Sequence, residues 1–138
     1  MNIKIISSEN RRQINDFISS HWFSTDMVVK GELVDMTVLD GFAVYDDGTV
    51  IGLVTYRIKS NECEIMSLDS LREKQGIGTA LVDKVIEIAR EKKCTKIKLV
   101  TTNDNINAIR FYQKRGFDIV NLYRNALNVS RKLQPSIP

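Results

Sequence analysis

Residues 62–101 constrain the fold more than any other part of the sequence, because two strand patterns flank a helical one. Residues 62–68 and 96–101 predict strands. Between them, residues 76–92 carry apolar side chains at helical spacing, namely Ile77, Leu81, Val85 and Ile88. Two strands joined through a helix run parallel in one sheet, and the crossover is right-handed. The stretch therefore predicts a parallel βαβ unit.

Residues 42–58 predict an antiparallel hairpin that precedes this unit. Asp46-Asp47-Gly48-Thr49 separates two apolar runs, and glycine tolerates the positive φ that such a turn needs. A second turn at residues 59–61 leads into the strand at 62–68. Three consecutive strands therefore form a meander.

The segments outside this core are predicted less sharply. Residues 2–6 predict a strand, and residues 7–10 cap an amphipathic helix that carries Ile14, Phe17 and Ile18. Residues 20–40 show no clean period and are interpreted as a long loop with a short strand at 27–29. Residues 105–115 predict a helix, and residues 118–123 predict a strand.

The basic tail, residues 124–138, ends in Pro135 and Pro138 and is not expected to form a central strand. The sequence therefore predicts one α/β (α+β) domain over residues 1–138. Its sheet is mixed and mostly antiparallel, with a central parallel βαβ unit and helices on both faces.

Composition excludes several classes of protein. The 138 residues suffice for one domain, and a net charge of +3 is too small to indicate a nucleic-acid partner. No apolar run approaches the roughly 20 residues of a membrane span, and the N-terminus lacks a signal-peptide pattern. Cys63, Cys94 and a single histidine indicate neither a disulfide scaffold nor a metal site. We expect a cytoplasmic protein, monomeric or homodimeric, with reduced and partly buried thiols.

The glycine turn Gln75–Thr79 lies where a strand gives way to a helix. Glycine lets the backbone approach a ligand closely, and the first N–H groups of a helix have no partner within it. With the helix dipole, these groups suit a pyrophosphate. The residues match neither a P-loop nor the dinucleotide GxGxxG pattern. A tight turn without a ligand is the alternative.

A second motif follows about three dozen residues later. Asn105, Ala108 and Tyr112 are spaced i, i+3 and i+7, which places them on one stripe of a helix. Small Ala108 leaves room for a ligand that Asn105 can bind, and Tyr112 can present its hydroxyl at one end of that ligand. Gly116 fits the end of this helix.

The two motifs in this order resemble those of the GCN5-related N-acetyltransferases, the GNAT superfamily, over residues 40–123. That resemblance implies binding of acetyl-CoA, without a metal, and transfer of its acetyl group to an amine. Glu73 departs from the family, which usually has Arg or Gln at the first motif position, although Arg72 is adjacent. The family's last strand has no obvious counterpart in the tail. The resemblance assigns to acetyl-CoA the residues Leu68, Ser70, Gln75, Gly76, Ile77, Gly78, Thr79, Asn105 and Ala108.

Catalysis of acyl transfer needs a proton donor for the leaving thiolate and a base for the amine. Tyr112 is the candidate acid, and a backbone N–H near Leu68 can polarise the thioester carbonyl. Strand alternation is expected to place Glu62, Glu64, Met66 and Leu68 on one face, which makes either glutamate a candidate base. Burial and the like-charged neighbour predict a raised pKa for either carboxyl. The alternative is that both are solvated.

Candidate contacts to the acceptor are His21, Trp22 and Tyr56, with Asp26 and Asp35 as further groups that can attract a cationic amine. The function predicted is an N-acetyltransferase that acts on a primary amine, small-molecule or peptide, by direct attack in a ternary complex. The alternative is a catalytically silent CoA-binding sensor of the same fold. An RNA-binding protein that uses the basic tail is disfavoured by the weak net charge.

Overall fold

The computed structural model describes residues 1–21, 26–29, 32–72, 75–101, 118–123 and 126–132. This part of the chain contains two α-helices, nine strands and one 3₁₀ turn, Met36–Val38. The helices are α1 (Arg11–His21) and α2 (Ile77–Glu91). The strands are β1 (Asn2–Ile5), β2 (Asp26–Val29), β3 (Glu32–Asp35), β4 (Asp40–Asp46), β5 (Thr49–Lys59), β6 (Glu62–Ser70), β7 (Lys96–Thr101), β8 (Asp118–Tyr123) and β9 (Ala126–Lys132).

Seven of the described strands form one mixed sheet in the order β1-β4-β5-β6-β7-β9-β8. Strands β6 and β7, which α2 joins, run parallel, and every other described pairing in this sheet is antiparallel. The predicted meander and the parallel βαβ unit are therefore confirmed. Strands β2 and β3 form a separate two-stranded sheet in the segment that the sequence predicts mainly as a loop.

The helices cover opposite faces of the sheet, as predicted. Alternation along β4 sends Phe42 and Val44 into a cluster with the buried stripe of α2, and sends Ala43 and Tyr45 into a second cluster with α1. Each large side chain that is fully buried contributes about 1.5–3 kcal/mol to stability. Both cysteines are free and buried, and burial raises the pKa of the Cys63 thiol to about 12.

Helix α2 is delimited by backbone geometry at both ends. Gly76 precedes it with a φ of 72°, and Lys93, with a φ of 58°, follows it. At the C-terminal end Lys93 N–H donates to Arg90 O (3.0 Å) and Cys94 N–H donates to Ala89 O (2.9 Å), the pair of bonds of a Schellman motif. The helix therefore starts and stops at fixed residues.

The expectation for the C-terminal tail is wrong. Strand β9 lies between β7 and β8, so it is an internal strand, and it pairs from Thr101↔Leu127 to Lys96↔Lys132. Pro135 and Pro138 both follow β9, so neither removes a donor from the ladder. The last strand of the GNAT pattern is thus supplied by this chain. Neither described helix has the length and apolarity that a membrane span requires.

Candidate active site

The parallel pair of strands separates towards its C-terminal end. Its register runs only from Glu62↔Lys96 to Ile65↔Leu99. Beyond it, within the described residues, β6 pairs with β5 alone and the end of β7 pairs with β9 alone. The ladder that joins β6 to β7 therefore ends at Ile65↔Leu99 in the described part of the chain. The carboxyl ends of neighbouring parallel strands are where open α/β sheets bind ligands.

A β-bulge marks the start of this split. Thr55 pairs with Ser67 and the next residue, Tyr56, pairs with Ile65, so Met66 is the extra residue on β6. The Met66 side chain is buried in the α1 cluster. The bulge therefore lies one residue beyond the last parallel pair, Ile65↔Leu99.

The bulge overturns the predicted alternation along β6. Cys63 and Ile65 lie in the α2 cluster, so Glu62 and Glu64 lie on the α1 face. Leu68 packs against the α2 cluster, on the opposite face, because the extra residue reverses the alternation. The expectation that Glu62, Glu64 and Leu68 share a face is therefore wrong.

The first turn of α2 begins directly after β6 ends. The first helical bond runs from Ala80 N–H to Gly76 O (3.0 Å), and Gly76, the N-cap residue, has no side chain that could cap the helix itself. The amides of a first helical turn, together with the helix dipole, form an anion site. Ile77 is 2% exposed and its side chain belongs to the core, so only its backbone can meet a ligand.

Gly52 allows this turn to lie close to the sheet. A Cβ at position 52 would be 2.5 Å from Ile77 Cγ2 and 3.3 Å from Leu81 Cδ1. A contact of 2.5 Å is too short for two carbon atoms, so any larger residue would displace the start of α2. Glycine on β5 therefore helps to set where the first turn lies.

Arg72, which precedes Glu73 in the sequence, forms an ion pair with Asp46 at the end of β4. Its backbone carbonyl accepts a hydrogen bond from Ser70 Oγ (2.9 Å). Arg72 and Gln75 also line a cavity of about 450 Å³ beside the first turn of α2. The guanidinium lies near the candidate anion site and is neutralised by a carboxylate.

The two candidate bases have different surroundings. Glu64 is 8% exposed and its Oε2 lies 3.3 Å from Arg57 Nη2. Glu62 is more exposed and contacts Lys98 Nζ at 2.5 Å and Lys96 Nζ at 3.2 Å. Hydrogen bonding to Lys98 is the largest cause that lowers the pKa of Glu62 below its ordinary 4.5. The expectation of a raised pKa is therefore wrong for Glu62.

Tyr56, a candidate acceptor contact, lies in the core. It is 6% exposed and stacks on Phe42, with ring centroids 6.3 Å apart. Burial, followed by the charges of Asp40 and Cys63, raises the pKa of Tyr56 to about 12. These contacts indicate a packing role.

Other predicted residues fall at or beyond the limits of the described chain. His21 is the last residue of α1, and Asp26 and Asp35 are backbone partners in the register of β2 and β3. Asp35 accepts hydrogen bonds from Thr37, which lower its pKa. The residues that lie outside the described part are Trp22, Glu73, Asn105, Ala108, Tyr112 and Gly116.

One feature beside the split, a pair of buried hydroxyl groups, is not predicted from the sequence. Thr55 Oγ1 and Ser67 Oγ lie 2.6 Å apart, and both side chains are buried. The available signal is that each of these small polar residues stands between two large hydrophobic neighbours in its strand. Their pairing depends on the bulge, which the sequence alone does not predict.

Comparison with known proteins identifies the family. The model of the acetyltransferase (GNAT) family matches residues 12–117, which include β6, the glycine turn and α2. The chain belongs to the GNAT acetyltransferase family. A relative, the uncharacterized protein YdhI of Bacillus subtilis (strain 168), is 46% identical over 129 residues, which cover 93% of this chain and 81% of YdhI.

Solved GNAT structures share the fold. The PaiA N-acetyltransferase of Thermoplasma acidophilum, in complex with coenzyme A, superposes with a TM-score of 0.72 at 18% identity and covers 96% of this chain and 100% of its own. Naa50 of Arabidopsis thaliana, in complex with the bisubstrate analogue CoA-Ac-MVNAL, has a TM-score of 0.69 at 19% identity, with coverage of 96% and 100%. The GNAT fold of this chain is thus one found in complexes with CoA.

Proposed function

We propose that this GNAT protein transfers the acetyl group of acetyl-CoA to a primary amine by direct attack in a ternary complex. The observation that carries the proposal is the split between β6 and β7, which opens at the bulge, directly after the last parallel pair, and is followed along the chain by the first turn of α2. A ligand with a pyrophosphate at one end and an extended arm at the other fits this arrangement.

In this proposal the cofactor lies along the open edge of β6. Amides of the turn Gln75–Thr79 bind the pyrophosphate. The pantetheine arm pairs with the backbone of Leu68 and Ser70 as an added strand. From the sequence pattern, Asn105 binds the same arm and Ala108 leaves room for it. Acetyl-CoA is then held mainly through backbone groups, and no metal takes part.

In the proposed reaction the reacting groups lie around the bulge. The amine nitrogen attacks the thioester carbonyl carbon and forms the C–N bond, while a backbone N–H near Leu68 stabilises the developing oxyanion. The C–S bond then breaks and the thiolate leaves. Glu64 takes the proton from the amine, directly or through a water, and Tyr112 protonates the departing thiolate. Because Glu64 and Leu68 lie on opposite faces of β6, the acceptor approaches from the α1 face.

Glu62 is the weaker candidate base. Its lowered pKa reduces its affinity for a proton, and two lysines hold its carboxylate. We assign Glu62 to the ion-pair network that borders the site, and Glu64 to the base.

The acceptor in this proposal is a small-molecule or peptide amine. Its contacts include His21 and Trp22, which follow from their position in the sequence, whereas the burial of Tyr56 argues against direct contact. A cytoplasmic location and a monomeric or homodimeric state remain predictions.

The test is thioester consumption with a panel of primary amines: polyamine, aminoglycoside, amino acid and peptide. Tyr112→Phe is expected to lower kcat by about 10²-fold or more and to leave the Kd of acetyl-CoA nearly unchanged, because a general acid acts in the transition state. Unchanged turnover would refute the role of Tyr112 as the acid.

A catalytically silent CoA-binding module is the second candidate function. Its support is that both candidate bases are engaged in ion pairs, Glu64 with Arg57 and Glu62 with two lysines. Such a protein would bind CoA in calorimetry and consume no thioester with any amine of the panel. Turnover with one amine rejects it.

A further inference from the structure

The buried hydroxyl pair of Thr55 and Ser67 lies at the bulge itself. Thr55 is 0% exposed and Ser67 is 5% exposed, and their oxygens lie 2.6 Å apart. Their neighbours along the strands, Val54, Tyr56 and Met66, belong to the apolar clusters. Within the described part of the chain each hydroxyl is the hydrogen-bond partner of the other, and a buried hydroxyl without a partner is unfavourable.

The pair exists in one register of β5 and β6 only. If the regular pairing of Tyr56↔Ile65 continued without a bulge, Thr55 would oppose Met66 and Val54 would oppose Ser67. The Ser67 hydroxyl would then enter the α2 cluster, and Leu68 would leave that cluster for the other face. A slip of one residue thus separates the two hydroxyls and exchanges a polar side chain with an apolar one.

The α1 cluster provides a second anchor for the same register. Met66, the inserted residue, is 1% exposed and packs with residues of α1. Packing alone specifies the register weakly here, because Met66 is flexible and fills gaps of different shapes. The hydroxyl pair is directional and therefore discriminates better between registers.

We propose that Thr55 and Ser67 are positioning residues, which hold the bulge at Met66 and thereby fix the backbone N–H groups of β6 that face the split. The inference rests on the proposed function, in which one of these N–H groups stabilises the oxyanion. Neither hydroxyl touches the reacting atoms. Their effect on the reaction passes through the backbone.

The test compares the single variants Thr55→Val and Ser67→Ala with the double variant. Each single variant leaves one hydroxyl buried without its partner and is expected to lose stability. The double variant replaces both polar groups with apolar ones, which can restore stability. If the pair positions the bulge, the double variant is stable and yet its kcat is lower by about tenfold or more, since a displaced oxyanion donor affects the transition state.

Three further measurements separate positioning from general destabilisation. Thr55→Ser, which keeps the hydroxyl, is expected to have the kcat of the wild type. Ile51→Val, which removes a buried methyl group from the same strand, is expected to lower stability without lowering kcat. Amide hydrogen exchange in the CoA-free protein is expected to speed up at Met66, Ser67 and Leu68 in the double variant and to stay slow at Ile65.

The exchange data also separate this inference from the proposed function. If the wild type consumes no thioester, the proposed function fails, and the exchange rates at Met66–Leu68 still decide whether the pair holds the bulge. If the double variant keeps both the kcat and the exchange pattern of the wild type, the inference is overturned.

Discussion

The two halves of β6, before and after the bulge, use the same backbone in different ways. The first half, Glu62–Ile65, pairs with β5 and β7 and alternates between core residues and charged residues. The second half, Met66–Ser70, pairs with β5 alone among the described strands and ends in an exposed residue, Ser70. The backbone pairing between β6 and β7 that stabilises the fold therefore stops at the bulge, and the proposed pairing with the pantetheine arm lies beyond it.

Glu64 lies in the first half of β6, yet the proposed function gives it a chemical role. Its substitution therefore has the largest expected effect. Glu64→Gln keeps the shape of the side chain and removes the base, so kcat is expected to fall by about 10²–10⁴-fold. Initial rates with the best acceptor of the amine panel measure it. The Kd of acetyl-CoA, measured by calorimetry, is expected to stay the same. A kcat within threefold of the wild type would leave Glu64 a structural residue.

Ile65 and Leu68 form a matched pair across the bulge, since both contact the α2 cluster from β6. Ile65 is fully buried, and Ile65→Ala is expected to cost about 2–5 kcal/mol of unfolding free energy with no change in acetyl-CoA affinity of the folded protein. Leu68 is half-buried, so Leu68→Ala is expected to cost less stability. It also removes apolar surface beside the backbone that is proposed to pair with the pantetheine arm, so it is expected to weaken acetyl-CoA binding.

Denaturant unfolding and calorimetry on both variants test this pair. Equal losses of stability, or a loss of affinity in Ile65→Ala, would show that the two halves do not differ in the way described.

Gly52 and Gly48 form a second matched pair, which tests what sets the position of the first turn of α2. Gly52→Ala places a Cβ 2.5 Å from Ile77 Cγ2 and is expected to cost about 1–3 kcal/mol and to weaken CoA binding, because the first turn of α2 must move. Gly48 has a φ of 76° with nothing within 4 Å of its Cβ position, so Gly48→Ala is expected to cost about 1–2 kcal/mol without affecting CoA. Equal CoA affinities would contradict the role of Gly52.

Local patterns predicted most of the fold. The Asp-Gly turn, the apolar spacing in α2 and the strand–helix–strand order are short-range signals, and the meander and the parallel unit followed from them. Strand β9 also carries a local signal, since Leu127 and Val129 alternate with Asn128 and Ser130. The prediction for the tail is wrong because it rests on Pro135 and Pro138, whereas a proline limits only the strand that contains it.

The arrangement of the candidate site was harder to predict, because it depends on how two strands align. The bulge at Met66 reflects the fit of β5 to β6, and it reversed the face of Leu68 relative to Glu64. Likewise, the pKa of Glu62 is set by lysines on β7, more than thirty residues away in the chain. Alternation within one strand contains neither fact.

Glu62 carries the smallest expected effect and tests whether the first half of β6 is mainly structural. Because its pKa is lowered in the folded state, its ionised form favours folding above pH 4.5, and this contribution is lost as the pH falls through the folded-state pKa. Glu62→Gln is therefore expected to cost less than about 1 kcal/mol at pH 7, since the pair is partly exposed. The difference from the wild type should shrink below pH 4.5 and at high salt.

Thermal unfolding between pH 7 and pH 3 measures this difference in stability. A difference that is independent of pH would mean that the lysine contacts do not stabilise the fold. An unchanged kcat in the same variant would leave Glu64 as the only one of the two glutamates with a part in the reaction.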